Sequence, residues 1–147
     1  MFLNACEKRV TSNEYASTSP LIISWTTTSV IYDPQQTKNG LSLLLFMNGN
    51  NYQCKQFMSQ TLTDTAVVRL INESFNIARI DPLSDSMVLY YNNVPISSSS
   101  LAYDIYHITA LPTTCVLNTK GEYITRWEGY QTPEEYITNL KYARDHY

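Results

Sequence analysis

The pattern of apolar and polar residues divides the chain into a polar beginning and a longer, core-forming remainder. Residues 1–20 are polar and aperiodic, which predicts a flexible N-terminal arm, whereas residues 21–147 carry the apolar segments of one domain. Leu21 to Trp25 is short, β-branched and aromatic, and this composition favours a strand. Leu41 to Met47 is almost continuously apolar, which is typical of a central strand covered on both faces.

Two helices, a strand and an ambiguous segment are predicted next. The segment between Asn76 and Asp81 favours a strand that Pro82 ends, and Thr63 or Asp64 is placed to cap the helix before it. The helical spacing of three and four residues is carried first by Cys54, Phe57, Met58, Thr61 and Leu62, and then by Val67, Leu70, Ile71, Ser74 and Phe75. From 83 to 100 the pattern is ambiguous: 87–91 fits a helix or a strand, 92–100 favours a loop, and one serine is expected to cap a helix carrying Leu101, Ala102 and Ile105.

The last third of the chain predicts an antiparallel hairpin followed by a helix. The strand-like runs 113–117 and 122–127 flank a turn at 118–121. Thr132, Pro133 and Glu135 form a capping box with proline at the first helical position. The helix buries a stripe made of Tyr136, Ile137, Leu140 and Ala143. The order of these elements predicts an α/β fold: a central mixed sheet with helices on both faces and a C-terminal β-hairpin plus helix.

Composition excludes several function classes. The chain has 147 residues, 44% of them hydrophobic, and this size fits a single compact domain. Its net charge of -3 without any basic run gives no electrostatic footprint for nucleic acid. The longest apolar run falls far short of the roughly 20 residues that a membrane-spanning helix needs. Three cysteines show neither metal-ligand spacing nor a disulfide framework, so we expect no metal and no cofactor.

Several local motifs together resemble one family. The chain reads Asn51-Tyr52-Gln53-Cys54-Lys55-Gln56-Phe57 after the central strand, Leu111-Pro112-Thr113 before the hairpin, and Trp127-Glu128-Gly129-Tyr130 after it. From about Leu41 to Tyr142 this order resembles the thioredoxin fold, closest to bacterial extracytoplasmic thioredoxin-like proteins with the motif C-P-Y-C-K, a T-P-T signature and a final G-Y. The resemblance implies a thioredoxin fold.

The resemblance also implies a binding surface. In the family the signature proline is cis and packs across from the cysteine motif, so Pro112 takes that role here. The backbone of Leu111 would then be free to pair with an extended partner chain, with Thr113 beside it. Tyr52 and Tyr130 would flank this groove and offer aromatic contacts to a peptide.

The active motif departs from the family pattern. A thioredoxin-type motif needs two thiols, and the first position is occupied by Asn51, which is instead a good helix N-cap. Cys54 holds the second position, where it is either a core residue or a residual reactive thiol. Leu45 stands where cytoplasmic thioredoxins carry a buried aspartate. Cys115 is either a buried strand residue or a disulfide partner of Cys54. His107 and His146 show no nucleophile or metal spacing.

The main functional prediction is therefore a thioredoxin-like protein with a degenerate redox motif that binds a partner protein or peptide at the groove of Asn51, Tyr52, Gln53, Pro112 and Tyr130. One alternative is a thiol-disulfide oxidoreductase that uses the single Cys54. Another is a lipid-anchored assembly subunit, because the residues around Cys6 resemble a lipoprotein signal without its apolar segment. The resemblance implies an extracytoplasmic location, and a membrane is a partner only if Cys6 is lipidated.

Overall fold

The computed structural model describes residues 21–33, 35 and 40–147 of the chain. The predictions of a flexible arm at 1–20 and of a lipid on Cys6 lie outside those residues. No helix in the described ranges is long and apolar enough to cross a membrane. In chain order the elements are α1 (Thr28–Ile31), β1 (Leu41–Phe46), α2 (Tyr52–Gln56), α3 (Thr65–Ser74), β2 (Phe75–Ile80), β3 (Met87–Tyr90), β4 (Val94–Ser97), α4 (Ser98–Ser100), β5 (Thr113–Leu117), β6 (Tyr123–Glu128) and α5 (Pro133–His146).

Two of the helices continue as wider, π-helical turns. Helix α2 runs on through Phe57–Thr61, and α4 runs on through Leu101–Ile105. The side-chain oxygen of Ser97 accepts a hydrogen bond from the backbone N–H of Ser100, so a serine caps α4 as predicted. Leu101 and Ala102 are buried, whereas Ile105 is exposed.

A mixed four-stranded sheet with the order β2-β1-β5-β6 forms the centre of the molecule. Strand β1 pairs in parallel with β2 and antiparallel with β5, and β5 pairs antiparallel with β6. All six residues of β1 are buried, which confirms the central strand that its continuous apolar run predicted. The predicted α/β fold with a C-terminal hairpin and helix is also confirmed.

The two faces of the sheet carry separate cores because successive side chains of a strand point to opposite faces. Leu43 and Leu45 of β1 belong to the first core, which α2, α3 and α5 cover. Leu44 and Phe46 belong to the second core, which α1 and the π-helical turn at Leu101–Ile105 cover. The apolar side chains at odd-numbered positions of β1 therefore pack in the first core, and those at even-numbered positions pack in the second.

Side-chain caps fix the starts of the two long helices. Thr132 Oγ1 accepts from the N–H of Glu135 at 3.2 Å, and Glu135 Oε2 accepts from the N–H of Thr132 at 2.9 Å. This reciprocal capping box is the one that the sequence predicted for α5. Asp64, one of two predicted candidates, caps α3 by accepting from the N–H groups of Ala66 and Val67.

The prediction of a strand at 21–25 is wrong. These residues have no regular secondary structure, although Thr26 N–H donates to Ile77 O at 2.8 Å along the outer side of β2. The side chain of Asn72 satisfies the backbone instead: its Oδ1 accepts from Ser24 N–H, and its Nδ2 donates to Ile22 O. Backbone groups bound to a side chain do not form a ladder, so the apolar segment stays irregular.

The prediction of a loop from Asn92 onward is also wrong, because Val94–Ser97 forms β4, which pairs with β3 in an antiparallel hairpin. Asn92 and Asn93 have φ of 57° and 59°, and the N–H of Val94 donates to Tyr91 O. Two central residues with positive φ define a type I′ turn, and asparagine tolerates that conformation better than other residues with a side chain. Phe75 differs as well: it begins β2 instead of ending the helical stripe of α3.

Candidate functional site

Four connections leave the sheet at the same end. Phe46, the last residue of β1, pairs with Ile80 at the end of β2 and with Thr113 at the start of β5. Thr113 in turn pairs with Glu128 at the end of β6. The residues that follow β1, β2 and β6 and those that precede β5 therefore meet at one edge, which we call the motif edge. Ligand sites of α/β proteins form at such an edge, where the parallel strands end.

Asn51 closes the first turn of α2. Its Oδ1 accepts from Cys54 N–H at 3.0 Å, and its backbone O accepts from Lys55 N–H at 3.0 Å. The backbone of Asn51 is extended, with φ of -79° and ψ of 132°, as an N-cap residue requires. The structure thus confirms that Asn51 caps the helix.

Cys54 is fully buried in the first core. Burial raises the pKa of its thiol, and the nearby Asp81 carboxylate raises the pKa further. A hydrogen bond from the backbone N–H of Asn48 opposes this shift without outweighing it. Cys54 is therefore held as a neutral thiol, in agreement with the prediction of a core residue, and a thiolate nucleophile is disfavoured there.

Two polar residues beside this thiol were missed by sequence reasoning. Asn48 Nδ2 donates to both carboxylate oxygens of Asp81, at 3.0 and 3.2 Å. Asn48 Oδ1 accepts from Asn50 N–H, and Asp81 Oδ1 accepts from Leu83 N–H, both at 2.9 Å. Both residues follow the ends of buried parallel strands, and this position was the signal that could have found them. The pair fixes the loops after β1 and β2 against each other.

The peptide bond between Leu111 and Pro112 is cis, as the resemblance implied. Pro112 is buried, and its carbonyl oxygen accepts from Gly129 N–H at 2.7 Å. Leu111 is half-buried and packs against both cores. Thr113 is buried and donates its hydroxyl to Ala110 O at 2.7 Å, so its side chain takes part in the loop and not in the surface.

The two tyrosines predicted to flank the groove differ in freedom. Tyr52 has 77% of its surface exposed and Gln53 beside it is also exposed, so both extend from the first turn of α2 into solvent. Tyr130 is half-buried: its hydroxyl donates to Gln60 Oε1 at 2.8 Å, and its ring packs edge-on against Phe57 with centroids 6.4 Å apart. The ring of Tyr52 therefore extends into solvent, whereas contacts with Gln60 and Phe57 hold the ring of Tyr130 in place.

Cys115 lies on the opposite face of the sheet from Cys54. It belongs to the second core, and both cysteines are free thiols. The alternative of a Cys54–Cys115 disulfide is therefore wrong, because the sheet itself separates the two side chains. Burial raises the pKa of Cys115 to about 12, and Glu128 raises it further while Arg126 opposes the shift. Cys115 is a core residue of β5.

The two histidines lie at the end of α5 and in the connection before β5. His146 Nδ1 is 2.9 Å from Tyr142 O, and its ring stacks on that of Tyr142 with centroids 4.1 Å apart. His107 is exposed in a loop with φ of 52°. Among the described residues no three His, Cys, Asp or Glu side chains are grouped to hold a metal ion.

A family model for the thioredoxin-like domain matches residues 30–144, most of the chain. The chain belongs to the thioredoxin-like domain family. No curated protein matches it in sequence. Among solved structures it is similar to a thioredoxin-fold protein from Helicobacter pylori at 15% identity, with a TM-score of 0.69 over 91% of this chain and 83% of the other. A DsbH oxidoreductase matches at 12% identity and a TM-score of 0.65, over 86% of this chain and 87% of the other.

A thioredoxin from Thermus thermophilus has 17% identity and a TM-score of 0.63, over 82% of this chain and 86% of its own. At these identities the likenesses show a shared fold. They confirm the thioredoxin fold that the motifs around Cys54 and Pro112 implied, and the properties of the site rest on this chain's own residues.

Proposed function

We propose that this thioredoxin-like domain binds an extended segment of a partner protein at the motif edge and performs little or no dithiol catalysis. The contacts would come from Asn51, Tyr52 and Gln53 on one side and from Leu111, Pro112 and Tyr130 on the other. The observation that carries the proposal is the geometry of Asn51. Its side-chain oxygen bonds to Cys54 N–H at 3.0 Å, at the helix start where a redox motif places its attacking thiolate.

The chemistry of dithiol exchange explains why this substitution matters. One exposed thiolate attacks a disulfide, and a second thiol one turn later resolves the mixed disulfide that forms. Here the first group is an amide, which cannot attack, and the second is a neutral, fully buried thiol. The two steps therefore lack their nucleophiles.

Partner binding is supported by the position of Leu111 and the exposure of Tyr52. The β1–β5 ladder begins at Thr113, so the backbone of Leu111 lies just beyond it. An extended segment can add main-chain hydrogen bonds at such a place, and an exposed aromatic ring supplies apolar contact area. Tyr52, at 77% exposure, provides that ring at the same edge.

An insulin-reduction assay tests the loss of catalysis. Wild-type protein should not exceed the background rate of dithiothreitol, whereas Asn51→Cys, which restores a pair of thiols with two intervening residues, should accelerate the reaction. Asn51→Ser is the matched control, because serine keeps a capping oxygen and adds no thiol. Wild-type turnover that Cys54→Ser abolishes would instead establish the oxidoreductase that acts through Cys54.

A second experiment tests binding itself. Reduced, carboxymethylated insulin B chain serves as an unfolded probe, and amide chemical shifts report where it binds. We expect shifts around Leu111 and Tyr52, with about threefold weaker binding for Tyr52→Ala because an exposed aromatic contact is lost. Tyr103→Ala removes another exposed tyrosine and should leave binding unchanged. Shifts confined to other surfaces would contradict the proposal.

The location of the protein is also a proposal. We infer an extracytoplasmic protein from the resemblance of its motifs; a membrane would be a partner only if Cys6 carries a lipid. Metabolic labelling with a radioactive fatty acid, compared between wild-type protein and Cys6→Ser in the source cells, tests the anchor. Equal labelling of both proteins would exclude it.

A further inference from the structure

The outer side of β2 has open backbone groups. Met47 N–H donates to Ile80 O at 2.9 Å, so the backbone of Ile80 faces β1, while Ile77 O accepts from Thr26 N–H on the outer side. Consecutive residues of a strand direct their N–H and C=O groups to alternate sides, so Arg79 faces outward like Ile77. Among the described residues, no backbone hydrogen bond is formed to the N–H or C=O of Arg79 on this side. The backbone of Arg79 therefore remains available for pairing.

The outer side of β3 lies across the same cavity. Leu89 pairs with Pro95, which has no N–H, and Leu89 N–H donates outward to Thr28 Oγ1 at 3.0 Å. By the same alternation Met87 also directs its backbone outward. A cavity of about 360 Å³ separates the two strand edges, and we call it the edge groove; it is lined by residues 26–29, by 78–80 of β2 and by 87–89 of β3.

An apolar cavity with one cation adjoins the edge groove. Its volume is about 240 Å³, its walls include Ile22, Trp25 and Met58, and Arg79 lines both cavities. The Arg79 guanidinium lies 5.8 Å from the centre of the Trp25 ring. Arg79 is the sole charged residue lining either cavity, and the one ion pair in the described ranges joins Arg144 to Asp145. The surface thus presents a positive charge without a carboxylate partner from those residues.

We propose that the edge groove binds an extended segment of a partner protein by strand addition, with an acidic side chain of that segment against Arg79. Main-chain hydrogen bonds to the backbone of Arg79 and Met87 and to the carbonyl oxygen of Leu89, whose N–H is already bound to Thr28, supply the affinity. The side-chain period of two places alternate residues toward Arg79 and Trp25. Charge complementarity selects an acidic residue flanked by β-branched ones. This surface runs along the side of β2 and is separate from the motif edge.

A synthetic pentapeptide, acetyl-Thr-Val-Glu-Val-Thr-amide, tests the proposal with the whole 147-residue chain. We expect amide shifts at residues 78–80 and 87–89 and a change in Trp25 fluorescence. A peptide N-methylated at every second residue loses backbone donors and should bind about tenfold more weakly. A peptide with Gln in place of Glu should bind about threefold more weakly, as a solvent-accessible ion pair allows.

Two arginine variants separate the charge contact from a general change in the surface. Arg79→Gln should weaken the Glu peptide about threefold and leave the Gln peptide unaffected. Arg69→Gln, an exposed change on α3, should alter neither affinity. Equal binding of the N-methylated peptide, or shifts absent from 78–80 and 87–89, would overturn the proposal.

Hydrogen exchange of the Arg79 backbone amide distinguishes a partner segment in the edge groove from a second copy of the chain and from residues 1–20. The proposal expects fast exchange in the free protein and protection when the peptide is added. Protection that rises with protein concentration would identify a second copy in the groove. Protection that is already present and independent of concentration would identify residues 1–20 of the same chain, and either result would overturn the assignment to a partner.

Discussion

Asn51 stabilises the start of α2 with a neutral amide oxygen. A redox-active cysteine at the same position would place a negatively charged thiolate there instead. The oxygen accepts from Cys54 N–H at 3.0 Å, so one of the first free donors of the helix is satisfied. The amide oxygen can accept from Cys54 N–H but cannot attack a disulfide, so asparagine at this position supplies the cap without the nucleophile. A single residue thus decides between stability of the motif edge and thiol chemistry.

Removal of this cap should destabilise the domain. Asn51→Ala leaves Cys54 N–H without its acceptor, and loss of an N-cap costs about 1 kcal/mol. Asn51→Asp keeps the oxygen and adds a negative charge near the helix N-terminus, so its free energy of unfolding should stay near the wild-type value. Urea unfolding monitored by circular dichroism measures both. Equal stability of Asn51→Ala and wild type would contradict the capping role.

The buried thiols should make stability fall at alkaline pH. Burial raises the pKa of Cys115 from 9.0 to about 12. Above pH 9 the unfolded chain therefore loses a proton that the folded protein keeps, and the free energy of unfolding decreases until about pH 12. One proton limits this slope to about 1.4 kcal/mol per pH unit.

A substitution separates the contribution of Cys115 to this pH dependence from that of the other groups that ionise at alkaline pH. Cys115→Val keeps a similar volume in a buried strand and removes the ionisable group. Between pH 8 and pH 10, wild type should lose about 1.4 kcal/mol more than Cys115→Val in urea unfolding. Parallel pH curves for the two proteins would show that this thiol does not titrate as its burial requires.

At the scale of elements, local side-chain chemistry decides which segments become regular. The capping box at Thr132 and Glu135 is complete within four residues, so α5 could be predicted from sequence. The hairpin of β3 and β4 depends on two asparagines that both adopt positive φ, and the sequence pattern alone favoured a loop there. The irregular segment at 21–25 depends on Asn72, which is distant in sequence and therefore invisible to a local pattern.

The turn of this hairpin gives a prediction at the same scale. Asn93→Val places a β-branched residue at a φ of 59°, and a left-handed conformation costs such a residue about 1–2 kcal/mol. Asn93→Gly should preserve or raise stability. Thr119→Val is the control, a similar change in another turn whose φ is not positive. Thermal unfolding compares the three variants, and a neutral Asn93→Val would contradict the turn geometry.

At the scale of the whole molecule, the register of the sheet determines what the sequence could not reveal. The motifs around Cys54 and Pro112 were recognisable because each is local. The Asn48–Asp81 pair exists only because Phe46 pairs with Ile80, which brings the ends of β1 and β2 together. The separation of Cys54 from Cys115 likewise follows from the faces to which the two side chains belong, so no count of cysteines could settle their pairing.

That separation leads to a final prediction about both thiols. In a Cys6→Ser background only Cys54 and Cys115 remain, each fully buried on its own face of the sheet. A thiol reagent reaches a buried group only through an opening of the structure, which lowers its rate by the population of the open state. At pH 8 both should react at least about a hundredfold more slowly than a cysteine introduced by Ser59→Cys, an exposed position.

Mass spectrometry of labelled and oxidised protein gives the measurement. Peptide mapping follows the labelling of each site, and mapping without reductant after mild oxidation should yield no peptide that joins Cys54 to Cys115. Urea should accelerate labelling of Cys115 in proportion to global unfolding, because β5 lies between β1 and β6 and cannot open alone. Rapid labelling of Cys54 in native buffer would contradict its burial, and a crosslinked peptide would show that the sheet does not keep the two thiols apart.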